Sequence, residues 1–196
     1  RFHHRIKLHP TRPFAYTCGT GNAINVFDIT TGEMIADLVF PANVQLDVQD
    51  VVVSTDGTTL HAVAILQGAA PRDCVFAQAT IAADGTHSWD PKTTNVCDYE
   101  FTALAVSALK PGRLLALATS RGLYDFDPNA IPPIPGLAVP SVNATGILHV
   151  SADGHWAFAA ENAVTPVGTI AANFTRIRRI DLTAPDIWLQ IARVGN

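Results

Sequence analysis

The side chains that could do chemistry are few and scattered along 196 residues. His3, His4 and His9 lie close together near the start, and imidazole is a common metal ligand. No carboxylate or cysteine accompanies them, so exposed terminal histidines plus a turn residue is the simpler reading, and no metal or other cofactor is expected. His61, His87, His149 and His155 stand singly. Cys18, Cys74 and Cys97 fit no CxxC or haem-attachment spacing. Glu33, Glu100 and Glu161 are the only glutamates. There is no Gly-x-Ser-x-Gly elbow to mark a nucleophilic serine. Two segments read as long loops, Gln67 to Asp73 and Glu161 to Thr169. Arg72, Asp73, Glu161 and Asn162 are therefore the candidate site residues, since function concentrates on loops held by a rigid scaffold.

Composition narrows the class. Hydrophobic residues make up 48% and charged residues 15%, which excludes a disordered chain. Thirteen Lys and Arg spread over the whole length, with a net charge of −4, give no basic field for nucleic acid or an anionic membrane. The longest uncharged stretch, Pro128 to Ala152, carries five prolines up to Pro140 and reads as loop plus strand, not a membrane span. The chain starts at Arg1 with no initiator Met or apolar leader, so the expectation is a processed product or fragment. Asn143-Ala144-Thr145 and Asn173-Phe174-Thr175 are glycosylation sequons, relevant only to a secreted eukaryotic protein.

The elements that must position these residues come from an internal repeat. Four segments share an alternating apolar strand, a short turn and a second apolar strand. Their anchor positions are His9, Ser54, Ser107 and Ser151, at spacings of 45, 53 and 44 residues. That period belongs to propeller blades, each a four-stranded antiparallel sheet. A further strand ends in Asp and a turn in the first, third and fourth repeats, at Asp28, Asp127 and Asp181; Asp84-Gly85 takes the place in the second. An Asp there can accept backbone N–H bonds. The Ser-x-Asp-Gly segments at Ser54 and Ser151 lack the rest of an Asp box and read as tight turns. Helix is hard to place anywhere, because apolar residues alternate with period 2 over short runs. The fold class is all-β: four consecutive four-stranded antiparallel blades near 1–45, 46–100, 101–142 and 143–196, as part of a larger ring, with half of a paired ring and a closed four-blade domain as the alternatives.

The first repeat, His9-Pro10-Thr11-Arg12-Pro13-Phe14-Ala15-Tyr16-Thr17 with Asn25-Val26-Phe27-Asp28-Ile29-Thr30-Thr31-Gly32-Glu33, resembles the YVTN-type β-propeller repeat. The turns at Ser54 and Ser151 match its pattern without the proline, and Lys110-Pro111-Gly112 departs from it. The resemblance implies a ring of seven or eight blades and carries over no catalytic motif. It implies a non-catalytic scaffold or interaction module of an exported protein, periplasmic, cell-surface or extracellular. The alternative it leaves is a lactonase-like enzyme or a propeller subunit of a periplasmic redox enzyme. An open arc exposes two blade faces, so a protein partner or further blades from another chain are expected.

One covalent link is also expected. A two-residue turn on Gly85-Thr86 would set Cys74 opposite Cys97, within disulfide reach. A turn on Asp84-Gly85 would separate them, and Pro91 would interrupt the pairing before the cysteines. A disulfide implies an oxidising compartment; the alternative is two buried thiols.

Overall fold

The computed structural model describes residues 3–19, 21–41, 46–66, 74–90, 94–95, 101–118, 122–129, 136–140, 144–167, 170–183 and 188–193. Among them there is no helix. The first sheet contains β1 (His3–Leu8), β2 (Phe14–Gly19), β3 (Ala23–Asp28) and β4 (Met34–Val39). The second contains β5 (Leu46–Val53), β6 (Thr59–Leu66), β7 (Cys74–Ile81), β8 (His87–Trp89) and β9 (Thr94–Asn95). The third contains β10 (Phe101–Val106), β11 (Leu114–Ala118), β12 (Gly122–Phe126) and β13 (Gly136–Pro140). The fourth contains β14 (Ala144–Val150), β15 (Trp156–Val167), β16 (Ile170–Asp181) and β17 (Trp188–Arg193).

Each sheet is an antiparallel meander in chain order. β8 and β9 both pair with β7, so they form one fourth strand with a break. Pro91, expected to interrupt this pairing, lies outside the described residues. The first strands of successive sheets touch, β1 with β5, β5 with β10, and β10 with β14. These four strands therefore form the inner side of an arc of blades.

Three apolar layers join the four blades. Tyr16, Ile24 and Val26 of the first blade meet Val51, Leu60, Ala62 and Ala77 of the second. Val52, Val63 and Phe76, from the second blade's opposite face, meet Phe101, Leu104 and Tyr124. Ala103, Leu115, Leu117 and Leu123 then meet Leu148, Ala157 and Ile180. A central blade thus buries both faces, which is why Val51-Val52-Val53 is apolar on both sides.

The strand turns work as the residue types suggest. Asp28 accepts from Thr30 N at 2.7 Å, Asp84 from Thr86 N at 2.9 Å, Asp127 from Asn129 N at 2.8 Å and Asp181 from Thr183 N at 2.8 Å. In the Ser-x-Asp-Gly turns, Ser54 Oγ donates to Asp56 and Ser151 Oγ to Asp153.

The β7–β8 turn differs from the expected one. Ala82 N donates to Thr86 O at 2.9 Å and Gly85 N to Ala82 O at 3.0 Å, leaving a three-residue loop, 83–85. Gly85 takes φ +89°, the left-handed position such loops reserve for glycine. The Asp84 carboxylate, holding both N and Oγ1 of Thr86, fixes that choice over a Gly85-Thr86 turn. Farther along, Val75 faces Asn95 and Phe76 faces Thr94, one residue out of the register that would set position 97 opposite Cys74. Cys74 is buried at the start of β7; Cys97 lies outside the described residues.

Candidate functional site

The expected loop residues do not form a described site. Arg72 and Asp73 lie outside the described residues. Glu161 and Asn162 are on a strand, not a loop: β15 runs on to Val167 and β16 starts at Ile170, with Glu161 facing Arg176 and Asn162 facing Thr175. The polar Asn162 and Pro166 suggest a loop, yet Val164, Thr165 and Val167 keep a β-branched strand going. Pro166 is tolerated in a ribbon of only two strands, whose edges need no further ladder bond. Asn173 lies on β16, and Asn143 lies outside the described residues. His9 is buried in a turn, where its ring is fully bonded: Nδ1 accepts from Thr11 N and Arg12 N, and Nε2 donates to Gly57 O at 3.0 Å. Among the described residues no three His, Cys, Asp or Glu side chains gather as a metal set would.

The inner strands supply a polar cluster that sequence reading missed. Each first-to-second strand pair carries a register shift, next to Arg5, Asp50, Ala103 and Leu148 respectively. Such shifts re-aim a side chain across the strand. In β5 the shift lies between Val48 and Asp50, and Asp50 and Val51 are both fully buried.

Asp50 ties three blades together. Its Oδ1 accepts from Val51 N at 2.9 Å, and its Oδ2 accepts from Leu104 N at 2.8 Å in the third blade. Lys7, from the first blade, approaches Oδ2 at 3.4 Å and donates to Leu104 O at 3.2 Å. Burial pushes the Asp50 carboxyl up, while Lys7, the two amides and Arg5 oppose it. Cys18 sits in the same field. Burial, reinforced by Asp50, pushes its thiol up to about 12, against the pull of Arg5 and Lys7. A thiol of that kind is protonated at neutral pH and is a poor nucleophile.

A second seam joins the first two blades nearer the anchor turns. Tyr16 Oη and His87 Nε2 are 3.0 Å apart, and Arg12 Nη1 donates to Ala82 O at 2.8 Å. Burial raises the Tyr16 hydroxyl to about 12 and lowers His87, which His9 and Arg12 lower further. The polar groups of both seams bond across blades, an arrangement suited to holding blades in register.

No protein-family model matches the chain, and no curated protein matches it. Solved structures do. Dihydro-heme d1 dehydrogenase NirN, in complex with DHE, aligns over 99% of this chain with a TM-score of 0.55 at 14% identity. The β-propeller domain of Myceliophteria thermophila Cps50 (Swd1) aligns over 97% with a TM-score of 0.47 at 14% identity. The chain spans 37% of the NirN chain and 69% of the Cps50 chain. At such identity the likeness to NirN speaks to the fold alone, and that fold is the β-propeller of four-stranded antiparallel blades.

Proposed function

We infer that the chain is a non-catalytic propeller module, an interaction scaffold whose end faces are covered by further blades. The observation that carries this is the free face of the first blade. Ile6 is 69% exposed and Leu8 64% on one edge strand of its sheet, and Met34, Ile35 and Val39 are exposed on the other edge strand. On the same sheet's other face, Tyr16, Ile24 and Val26 are fully buried against the second blade. Large apolar side chains exposed along both edge strands of one blade suit an interaction surface. The fourth blade also leaves Ile147 and Ile177 exposed.

A YVTN-type repeat family and an exported setting belong to the same reading; the expected Cys74–Cys97 disulfide does not support it, since no disulfide is formed among the described residues and the β7–β9 register is one residue out. A lactonase-like or redox-subunit role finds less support, because the buried polar groups of the inner strands are bonded to one another and to the Leu104 backbone.

Native mass with and without Ile6→Glu and Leu8→Glu tests the proposal. The expected particle exceeds the 20.9 kDa chain, and the double variant shrinks it. A monomer of that mass, unchanged by the substitutions, would overturn it.

A further inference from the structure

The blades stack in one direction, and the two faces of a blade differ in the size of their side chains. In the second strands, Tyr16, His61 and Leu115 lie on the face turned to the next blade along the chain. Ala62, Ala116 and Ala159 lie on the face turned to the previous blade. Each internal joint therefore sets large side chains of one blade against a small centre on the next.

The same division continues at both free ends. On the first blade, strand pairing places Ile6, Ala15, Thr17, Asn25 and Val39 on the face away from the second blade. Its middle strands are small there, while Ile6 on β1 and Val39 on β4 stand exposed at its sides. On the fourth blade, the face away from the third carries Trp156, Phe158, Ile177 and Arg179, large side chains on the two middle strands. The first free face is thus of the kind that receives a preceding blade, and the second is of the kind that meets a following one. Neither matches itself, and each matches the other. Charge follows the same division. Asp37 is exposed on the first face, opposite Asn25, and Arg179 lies over the Trp156 ring at 4.2 Å on the second.

We propose that the free face of the first blade receives the free face of the fourth blade of a second copy of this chain, so that two copies close head to tail into one ring of eight blades. This rests on the reading that further blades cover the end faces, and it names their source. The arrangement uses one contact twice about a two-fold axis and leaves no blade face open, whereas pairing of like faces would leave two open. An anchor bond is not required at every joint. Gly57 receives His9 at the first joint, but at the middle joint Lys110 holds the corresponding place, three residues after the anchor, as Arg12 does in the first blade. The middle joint nevertheless keeps its apolar layer.

Native mass spectrometry and light scattering on the intact chain test this with two variants. Ile6→Glu with Leu8→Glu charges the first face, and Ile147→Glu with Ile177→Glu charges the fourth blade's face; all four side chains are exposed. The wild type is expected at twice 20.9 kDa. Each variant alone loses both contacts of the ring and is expected at 20.9 kDa. Mixed, the two variants retain one intact pair of faces and form a heterodimer, roughly a hundredfold weaker than the wild-type pair because a second contact no longer closes it. A heterodimer found only in the mixture is the mark of unlike faces meeting. A mixture without heterodimer, an assembly lost in the first variant but kept in the second, or a wild-type particle of more than two copies each overturns the two-copy ring and leaves the scaffold reading standing. A wild-type monomer unchanged by every substitution overturns both. Should a double variant fail to fold by circular dichroism, Leu8→Glu or Ile177→Glu alone takes its place.

Discussion

The joint between the first and second blades and the joint between the second and third bury similar apolar layers and differ in their polar closure. At the first joint every ring of the polar seam finds a partner: His9 reaches Gly57, Arg12 reaches Ala82, and Tyr16 meets His87. At the second, Asp50 bonds Leu104 N and Gln78 bonds Pro128 O, but His61 Nδ1 is enclosed with no hydrogen-bond partner. Apolar burial sets which blades pack, and the short turn after each inner strand sets whether the joint closes. One change of turn, to Lys110-Pro111-Gly112, opens a joint without disturbing the layer beneath it.

The comparison breaks most sharply at the residue common to both joints. Asp50→Ala removes an acceptor from Val51 N and Leu104 N and leaves Lys7 without its partner. Breaking a buried pair of this kind costs about 3–5 kcal/mol. Urea unfolding should show it as a lower midpoint, and a loss below about 1 kcal/mol would mean that the three-blade tie contributes little.

Acid should open the second joint before the first. Burial brings His61 down to about 4, against the usual 6.5 of a solvated imidazole. Its contribution to stability is therefore whole above pH 6.5, falls as the unfolded chain takes up protons, and is gone below pH 4. The shift corresponds to about 3 kcal/mol across that window. His9 and His87 are also lowered and add the same sign, whereas the raised Asp50 carboxyl runs the other way. His61→Phe should flatten part of the slope of unfolding free energy against pH. An unchanged slope would show that His61 does not hold the joint.

Two glycines sharpen the contrast. Gly57 and Gly112 both have left-handed φ, +74° and +76°. An alanine at either carries a backbone cost of about 1–2 kcal/mol. Only at Gly57 does the new Cβ also strike a ring, His9 at 2.7 Å. Overpacking adds about 1–3 kcal/mol, so Gly57→Ala should cost roughly twice as much as Gly112→Ala in thermal or urea melts. Equal costs would mean that His9 yields freely and that the first joint is not closed by it.

Much of the blade framework is legible in the chain, because period-2 runs and the anchor spacing are local patterns. The Asp turns are legible for the same reason, since Asp28 and Thr30 are two residues apart. Asp50 is not, because the blade is buried on both faces and a register shift beside it interrupts the alternation. Its partners, Lys7 and Leu104, lie 43 and 54 residues away, and no spacing links them. The β15–β16 ribbon was masked by Asn162 and Pro166, breakers in a long strand that a two-stranded ribbon accommodates. The β7–β8 register departs from both two-residue turns the sequence offers, because a three-residue loop, 83–85, forms with the Asp84 carboxylate holding Thr86.

The smallest expected effect lies at the second joint. Lys110 and Arg113 both reach Asp125, which is 16% exposed in its side chain, while their own side chains are 36% and 42% exposed. Exposed pairs contribute about 0–1 kcal/mol, and either cation alone still neutralises Asp125. Lys110→Met should therefore move the urea midpoint by no more than about 0.5 kcal/mol in equivalent free energy, and the change should shrink further at high salt. The seam at Arg12 offers the control. Its guanidinium donates to a backbone carbonyl of the next blade instead of sharing a carboxylate. Arg12→Met removes one of the two bonds that Ala82 O accepts and leaves that from Gly85 N, so it should cost about 1 kcal/mol and depend little on salt. If Lys110→Met proves the more damaging of the two, the cations of the second joint are part of its structure.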